Sequence, residues 1–176
     1  HDAVCGSVAW EPALRGLENA LSLGIDVRIN CAVTPINAGK LEETALFFIR
    51  RQGVKALRFI FLKAPPGYGL KAAELLPRFG PALEEIKRLA VNAGAGVRLS
   101  VANLPPCLLP GHPELIEGSP AGLRTGAEPG IFRPDGMVKS SQCSDCRLQL
   151  GCPGLDAGYA ACYGSGEIRP IRRSDL

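Results

Sequence analysis

Three thiols stand within ten residues near the end of this chain, in Cys143-Ser-Asp-Cys146-Arg-Leu-Gln-Leu-Gly-Cys152-Pro-Gly. The surrounding segment is rich in Gly and Pro and poor in long apolar runs, so it can bury little core of its own and needs something else to fix its conformation. A Cys-x2-Cys turn aims two thiolates at one point, and Cys152 can swing back toward the same point. That donor set suits a metal ion or an iron–sulfur cluster. Cys143 and Cys146 alone could also form a redox pair, but Cys152 six residues on argues against it.

Three ligands are one short of a closed site. The fourth comes from Cys107, in Leu104-Pro-Pro-Cys107 just past a strand end, or from Cys162, between Tyr159 and Tyr163. Asp156 is weaker, because carboxylates are uncommon structural ligands beside thiolates. Cys107 is preferred: the prolines before it set its direction rigidly, whereas Cys162 can be buried on a helical turn as a small apolar residue. Spacing alone does not separate zinc from iron–sulfur.

The seven cysteines are odd in number and uneven in spacing. That favours ligation in a reducing, cytoplasmic compartment over a secreted disulfide framework. Cys5 and Cys31 read as small core residues. His112, between Gly111 and Pro113, reads as a turn histidine, and Glu167 as an exposed carboxylate.

The elements that must position these thiols follow from hydrophobic spacing. Glu11 to Leu23 has apolar residues at one-faced helical spacing, with Pro12 in the first turn and Gly24 after the end. Ile25 to Thr34 reads as a buried strand and Ala38 to Gln52 as a second helix. Val54 to Leu62 is a second strand. A helical region broken at Arg78-Phe-Gly80-Pro81 leads to a third strand over Val97 to Val101. Alternating helices and strands with short connections imply an α/β fold with a parallel sheet. From about Asn103 onward the texture changes, and a hairpin turning on Pro134-Asp135-Gly136 precedes the cysteines. Two domains are expected: 1–103, an α/β layer, and 104–176, a small irregular domain organised by cysteines.

With 46% apolar and 21% charged residues the chain has the composition of a globular protein. A net charge of +3 is too small to argue for nucleic acid. The basic tail Arg169-Pro-Ile-Arg172-Arg173 reads as a solvated terminus. No apolar run approaches the roughly 20 residues of a membrane span.

Several segments together resemble the second half of a radical S-adenosylmethionine enzyme that carries an auxiliary cluster domain. His1-Asp2, Gly6 and a helix, then Gly24 to Asn37, look like the passage from the fourth helix to the fifth strand of that barrel. Gly53-Val54 and Leu57 to Leu62 look like the approach to its sixth strand. The Pro-Asp-Gly hairpin followed by Cys143-x2-Cys146-x5-Cys152 is similar to the twitch/SPASM type of auxiliary domain.

The resemblance implies the C-terminal half of a partial (β/α)6 TIM-like barrel followed by a domain holding an auxiliary [4Fe-4S] cluster. It also implies S-adenosylmethionine and a catalytic [4Fe-4S] cluster in the complete enzyme, which makes a 5′-deoxyadenosyl radical for hydrogen abstraction. An electron donor such as flavodoxin or ferredoxin, and a peptide or small-molecule substrate, go with it. Asn30 and Leu62 would face the S-adenosylmethionine, Asn30 through its amide and Leu62 against the adenine; Thr34 and Asn37 read as a strand end and a helix cap.

The departures are specific. The family's Cys-x3-Cys-x2-Cys and its Gly-Gly-Glu-Pro-like segment are absent, and Asp156 stands where the full SPASM pattern carries another Cys. One auxiliary cluster is therefore expected. The chain reads as a C-terminal fragment, inactive by itself. The competing reading is a non-enzymatic, zinc-stabilised α/β module for protein contacts.

Overall fold

The computed structural model describes residues 1–65, 67–117 and 136–172. A single helical turn, α1 (Asp2–Cys5), leads to α2 (Trp10–Ser22), and then β1 (Arg28–Val33), α3 (Leu41–Gln52), β2 (Ala56–Phe61), α4 (Phe79–Asn92) and β3 (Arg98–Ala102) alternate. The strands form a parallel sheet in the order β1-β2-β3, with Asn30 level with Arg58 and Arg58 level with Ser100. Parallel neighbours need a crossover long enough for a helix, and α3 and α4 supply the two. No described strand closes this sheet into a barrel.

Side chains alternate between the two faces of a strand, and one face is covered here. Leu57, Phe59 and Phe61 of β2 are at most 2% exposed. They share a core with Leu41, Ala45 and Phe48 of α3 and with Phe79, Leu83, Ile86 and Leu89 of α4. Each large side chain so buried contributes about 2 kcal/mol.

The opposite face carries no covering layer among the described residues. Arg28 and Asn30 lie exposed on it, so β1 is not buried on both sides as its β-branched run suggests. Arg58 crosses this face to make a two-pronged pair with Glu117, which also accepts from the Ser100 hydroxyl at 2.9 Å. Glu117 is placed by a parallel bridge between Ile116 and Val101 at the sheet edge.

Two helix starts differ from the sequence reading for local reasons. Helix α3 starts at Leu41 rather than Ala38, because the Asn37 side chain holds a turn after β1: it accepts from the Thr34 amide at 2.8 Å and donates to the Ala32 carbonyl at 2.8 Å. Asn37 thus caps a strand end and not a helix. Gly80 and Pro81 do not break a helix; they lie in the first turn of α4, where a missing N–H costs nothing. Before it, Gly69–Glu74 forms a 3-10 helix.

Cys31 packs half-buried against the core, but Cys5 is exposed on a one-turn helix that buries nothing. It is not a core residue.

Beyond β3 the chain is turn-rich, with the short antiparallel pair β4 (Met137–Val138) and β5 (Leu155–Asp156), then α5 (Ala157–Tyr163). Met137–Val138 pairs across the cysteine segment. Pro134 and Asp135, and the earlier arm of the expected hairpin, lie outside the described residues. Leu104, Leu108, Leu155, Tyr159 and Ile168 join the same buried cluster as the sheet, so the core runs across the 103/104 boundary. No described helix is long and apolar enough to cross a membrane.

Candidate metal centre

Cys107 is delivered from the sheet. After β3, Asn103 takes a left-handed conformation (φ 62°), and its side-chain Nδ2 donates to the Phe61 carbonyl at 2.9 Å, turning the chain over the end of β2. Pro105 and Pro106 then lock a short 3-10 turn, Pro106–Leu108, that presents Cys107 at 8% exposure.

The other three thiols sit on consecutive tight turns. The Cys143 amide bonds the Ser140 carbonyl at 3.0 Å, Cys146 bonds Cys143 at 3.1 Å and Cys152 bonds Leu148 at 2.9 Å. The ends of this segment are tied down by the β4–β5 pair and by the Arg147 amide on the Ile171 carbonyl at 3.0 Å. Gly154 closes it at φ 96°, with its amide donating to the Cys152 sulfur at 3.4 Å. A side chain there would strike the Val138 carbonyl at 2.3 Å, so β4 can approach only a glycine.

Cys107, Cys143, Cys146 and Cys152 line one cavity of about 270 Å³. Leu155, Ile168 and Ile171 supply apolar wall. Burial, helped by the charge of the other three sulfurs and opposed by a hydrogen bond from the Arg169 backbone, pushes the Cys107 thiol up to about 11. Burial raises Cys152 as well. Thiols held this way stay protonated at neutral pH unless a cation or cluster takes them as thiolates. Lys139 donates to the Gln149 carbonyl beside them, and its charge favours the Cys152 thiolate.

The four cysteines belong to the cavity wall. No three His, Cys, Asp or Glu side chains among the described residues converge closely enough to hold one ion. Around a single zinc, thiolates at about 2.3 Å stand roughly 3.8 Å apart. A cubane cluster spreads its ligands wider, because each thiolate takes a different iron. Four cysteines are a donor set that either a zinc ion or an iron–sulfur cluster takes.

The other candidates lie elsewhere. The Cys162 sulfur contacts the Leu70 carbonyl at 3.6 Å and does not line the cavity. Asp156 caps α5, accepting from the Tyr159 amide at 2.9 Å and from Ala64 at 3.3 Å. His112 pairs with Glu114 at 3.4 Å on an exposed turn. Asn30 is exposed on the open sheet face, and Leu62 is half-buried just past β2. Neither lines the four-cysteine cavity.

Glu167 is not a free surface carboxylate. One oxygen accepts from the Gly80 amide at 3.0 Å and the other from the Tyr159 hydroxyl, which itself accepts from the Phe79 amide at 3.1 Å. Together they cap α4, whose own N-cap residue Arg78 offers no side-chain bond. Tyr159 stacks on Phe79 with ring centres 3.9 Å apart, and Tyr163 donates to the Leu76 carbonyl at 2.8 Å. This clasp seats α5 and the cavity wall behind it on the α/β layer. Asp156 carries an N-cap signature readable in Asp156-Ala-Gly-Tyr159; nothing local marks Tyr159 and Glu167 as partners of a helix some 80 residues earlier.

Set against protein-family models, curated proteins and solved structures, the chain matches none.

Proposed function

We propose that this chain is part of a radical S-adenosylmethionine enzyme, contributing the C-terminal part of its barrel and an auxiliary [4Fe-4S] cluster bound by Cys107, Cys143, Cys146 and Cys152. The observation that carries the proposal is the gathering of these four cysteines, and no other thiol, around one largely apolar cavity. The α/β order of the first hundred residues and the cysteine spacing support it. When bound, such a cluster supplies one-electron redox chemistry or an anchoring point for substrate.

The chain's own residues do the holding. Cys107 ties the site to the end of the sheet, while the turns from Ser140 to Gly154 aim the other three sulfurs. The Gly154 and Arg169 backbone N–H groups stabilise the Cys152 and Cys107 thiolates, as hydrogen bonds to cluster sulfurs do. In the complete enzyme the open face of β1–β3 would form part of the barrel interior. Asn30 and Leu62 would lie toward the S-adenosylmethionine and the substrate, a peptide or small molecule. Flavodoxin or ferredoxin would supply electrons.

Anaerobic reconstitution of the chain with iron and sulfide tests this. A cluster with the visible absorption and reduced-state EPR signal of [4Fe-4S] is expected, lost on substitution of any of the four cysteines and kept in Cys162→Ser. Stoichiometric zinc that iron and sulfide cannot replace would favour a zinc-stabilised binding module.

A further inference from the structure

A second group of metal-type donors sits at the other end of the chain, apart from the four-cysteine cavity. His1 and Cys5 bracket the single turn of α1, and a spacing of four places their side chains on one face. The His1 Nε2 lies 3.6 Å from the Cys5 sulfur. Behind the ring, His1 Nδ1 is 2.9 Å from Asp2 Oδ1.

That oxygen is itself pinned by the amides of Ala9 and Trp10 at 3.1 and 2.8 Å. Asp2 therefore cannot swing round to compete as a ligand. It draws the ring proton to Nδ1 and leaves the Nε2 lone pair facing the thiol, the carboxylate–imidazole relay found behind metal-bound histidines. The Trp10 ring, 5.7 Å from the imidazole and packed on Phe47 and Phe48, closes one side. The other side is open to solvent, for Cys5 is exposed.

We propose that His1 and Cys5 form an open two-ligand site for a borderline-soft divalent cation of the zinc type, with Asp2 as its positioning residue. Geometry sets the class. A zinc ion about 2.3 Å from a thiolate and about 2.0 Å from an imidazole nitrogen, in tetrahedral arrangement, holds those two atoms roughly 3.5 Å apart. The observed 3.6 Å needs almost no adjustment. Soft sulfur with imidazole selects zinc-like ions over magnesium or calcium. Binding displaces the thiol proton to solvent, and water fills the remaining positions, so the site stays open to a further ligand. None of this depends on the auxiliary-cluster reading.

The test is cobalt(II) titration, under anaerobic conditions, of the cluster-reconstituted chain bearing a short Gly-Ser extension before His1, so that no terminal amine stands beside the imidazole. Unbound cobalt is counted by a chromogenic chelator. Wild type should hold one cobalt more than Cys5→Ala and one more than His1→Gln. Asp2→Asn should bind the same ion about 10-fold or more weakly. Repeated on the cluster-free Cys143→Ser/Cys152→Ser chain, the titration should show a sulfur-to-cobalt charge-transfer band that Cys5→Ala abolishes. Equal cobalt in wild type and Cys5→Ala would overturn the site. Loss in Cys5→Ala with full retention in His1→Gln would overturn the pairing.

Discussion

Removal of the Glu167 carboxylate tests whether the cysteine-bearing segment is seated on the α/β layer by capping α4 from outside. In Glu167→Ala the Gly80 amide loses its acceptor in the first helical turn, and the Tyr159 hydroxyl loses the group it donates to. Loss of a helix cap costs about 1 kcal/mol. A hydrogen bond to a charged acceptor is worth about 1.5–3 kcal/mol when buried, discounted to about 1 here because Glu167 is half-exposed. The expected loss is therefore about 2 kcal/mol in urea unfolding at unchanged m-value. Glu167→Gln offers one acceptor oxygen and an NH2 in place of the other, so it keeps one of the two acceptor contacts and should lose about half as much. A Tyr159→Phe/Glu167→Gln cycle should show coupling of about 1 kcal/mol. Burial, and then the Glu167 bond, raise the Tyr159 phenol above its ordinary value. A raised folded pKa stabilises the fold below the unfolded pKa and is lost as pH rises through the folded one. The wild type should therefore lose its advantage over Tyr159→Phe above about pH 10. A Glu167→Ala protein within about 0.5 kcal/mol of wild type would refute the clasp.

Other outcomes follow from the same contacts. Gly158→Ala would bring a methyl within 2.1 Å of the Ala64 Cβ and 3.1 Å of Asp156 Oδ1; the overlap outweighs the helix-propensity gain and should cost about 2 kcal/mol in the same assay. Cys107→Ser should retain about half or less of the wild-type iron after reconstitution while Cys162→Ser retains it all, and equal iron in Cys107→Ser would remove Cys107 from the ligand set. Burial raises the Glu117 carboxyl, but bonds from Arg58 and Ser100 outweigh it and hold it below the ordinary carboxylate range. A depressed folded pKa stabilises above the unfolded value, about 4.3, and the gain fades as pH falls through the folded one. The stability gap between wild type and Glu117→Gln should therefore close in acid, and a gap that widened below pH 4 would contradict the pairing.

The helix–strand order was legible because apolar residues recur at helical spacing in α2–α4, while β-branched and aromatic runs mark β1–β3. The run Ile25 to Thr34 misleads about burial. Its apolar density reads as a strand covered on both faces, yet Arg28 and Asn30 are exposed on the uncovered face. Proline in a first helical turn and proline that breaks a helix look alike without the backbone, so Pro81 misplaced the start of α4. The gathering of the four cysteines was legible in part. Tight local spacing marks Cys143, Cys146 and Cys152, whereas Cys107 reaches their cavity only through a turn at Asn103 bonded to Phe61, a contact 42 residues apart. The clasp of Tyr159 and Glu167 on α4 is a tertiary arrangement with no periodicity of its own. Cys5 resembled a core residue because its neighbours are small and apolar, but a single turn cannot bury a side chain.

The central claim is that four cysteines from two parts of the chain hold one iron–sulfur cluster. Iron and acid-labile sulfide analysis of the anaerobically reconstituted chain, with Mössbauer spectroscopy of the same sample, tests it most directly. About four irons and four sulfides per chain in a single cubane environment are predicted, falling when Cys107 or Cys152 is replaced. One tightly held zinc and no sulfide in the reconstituted chain would contradict it.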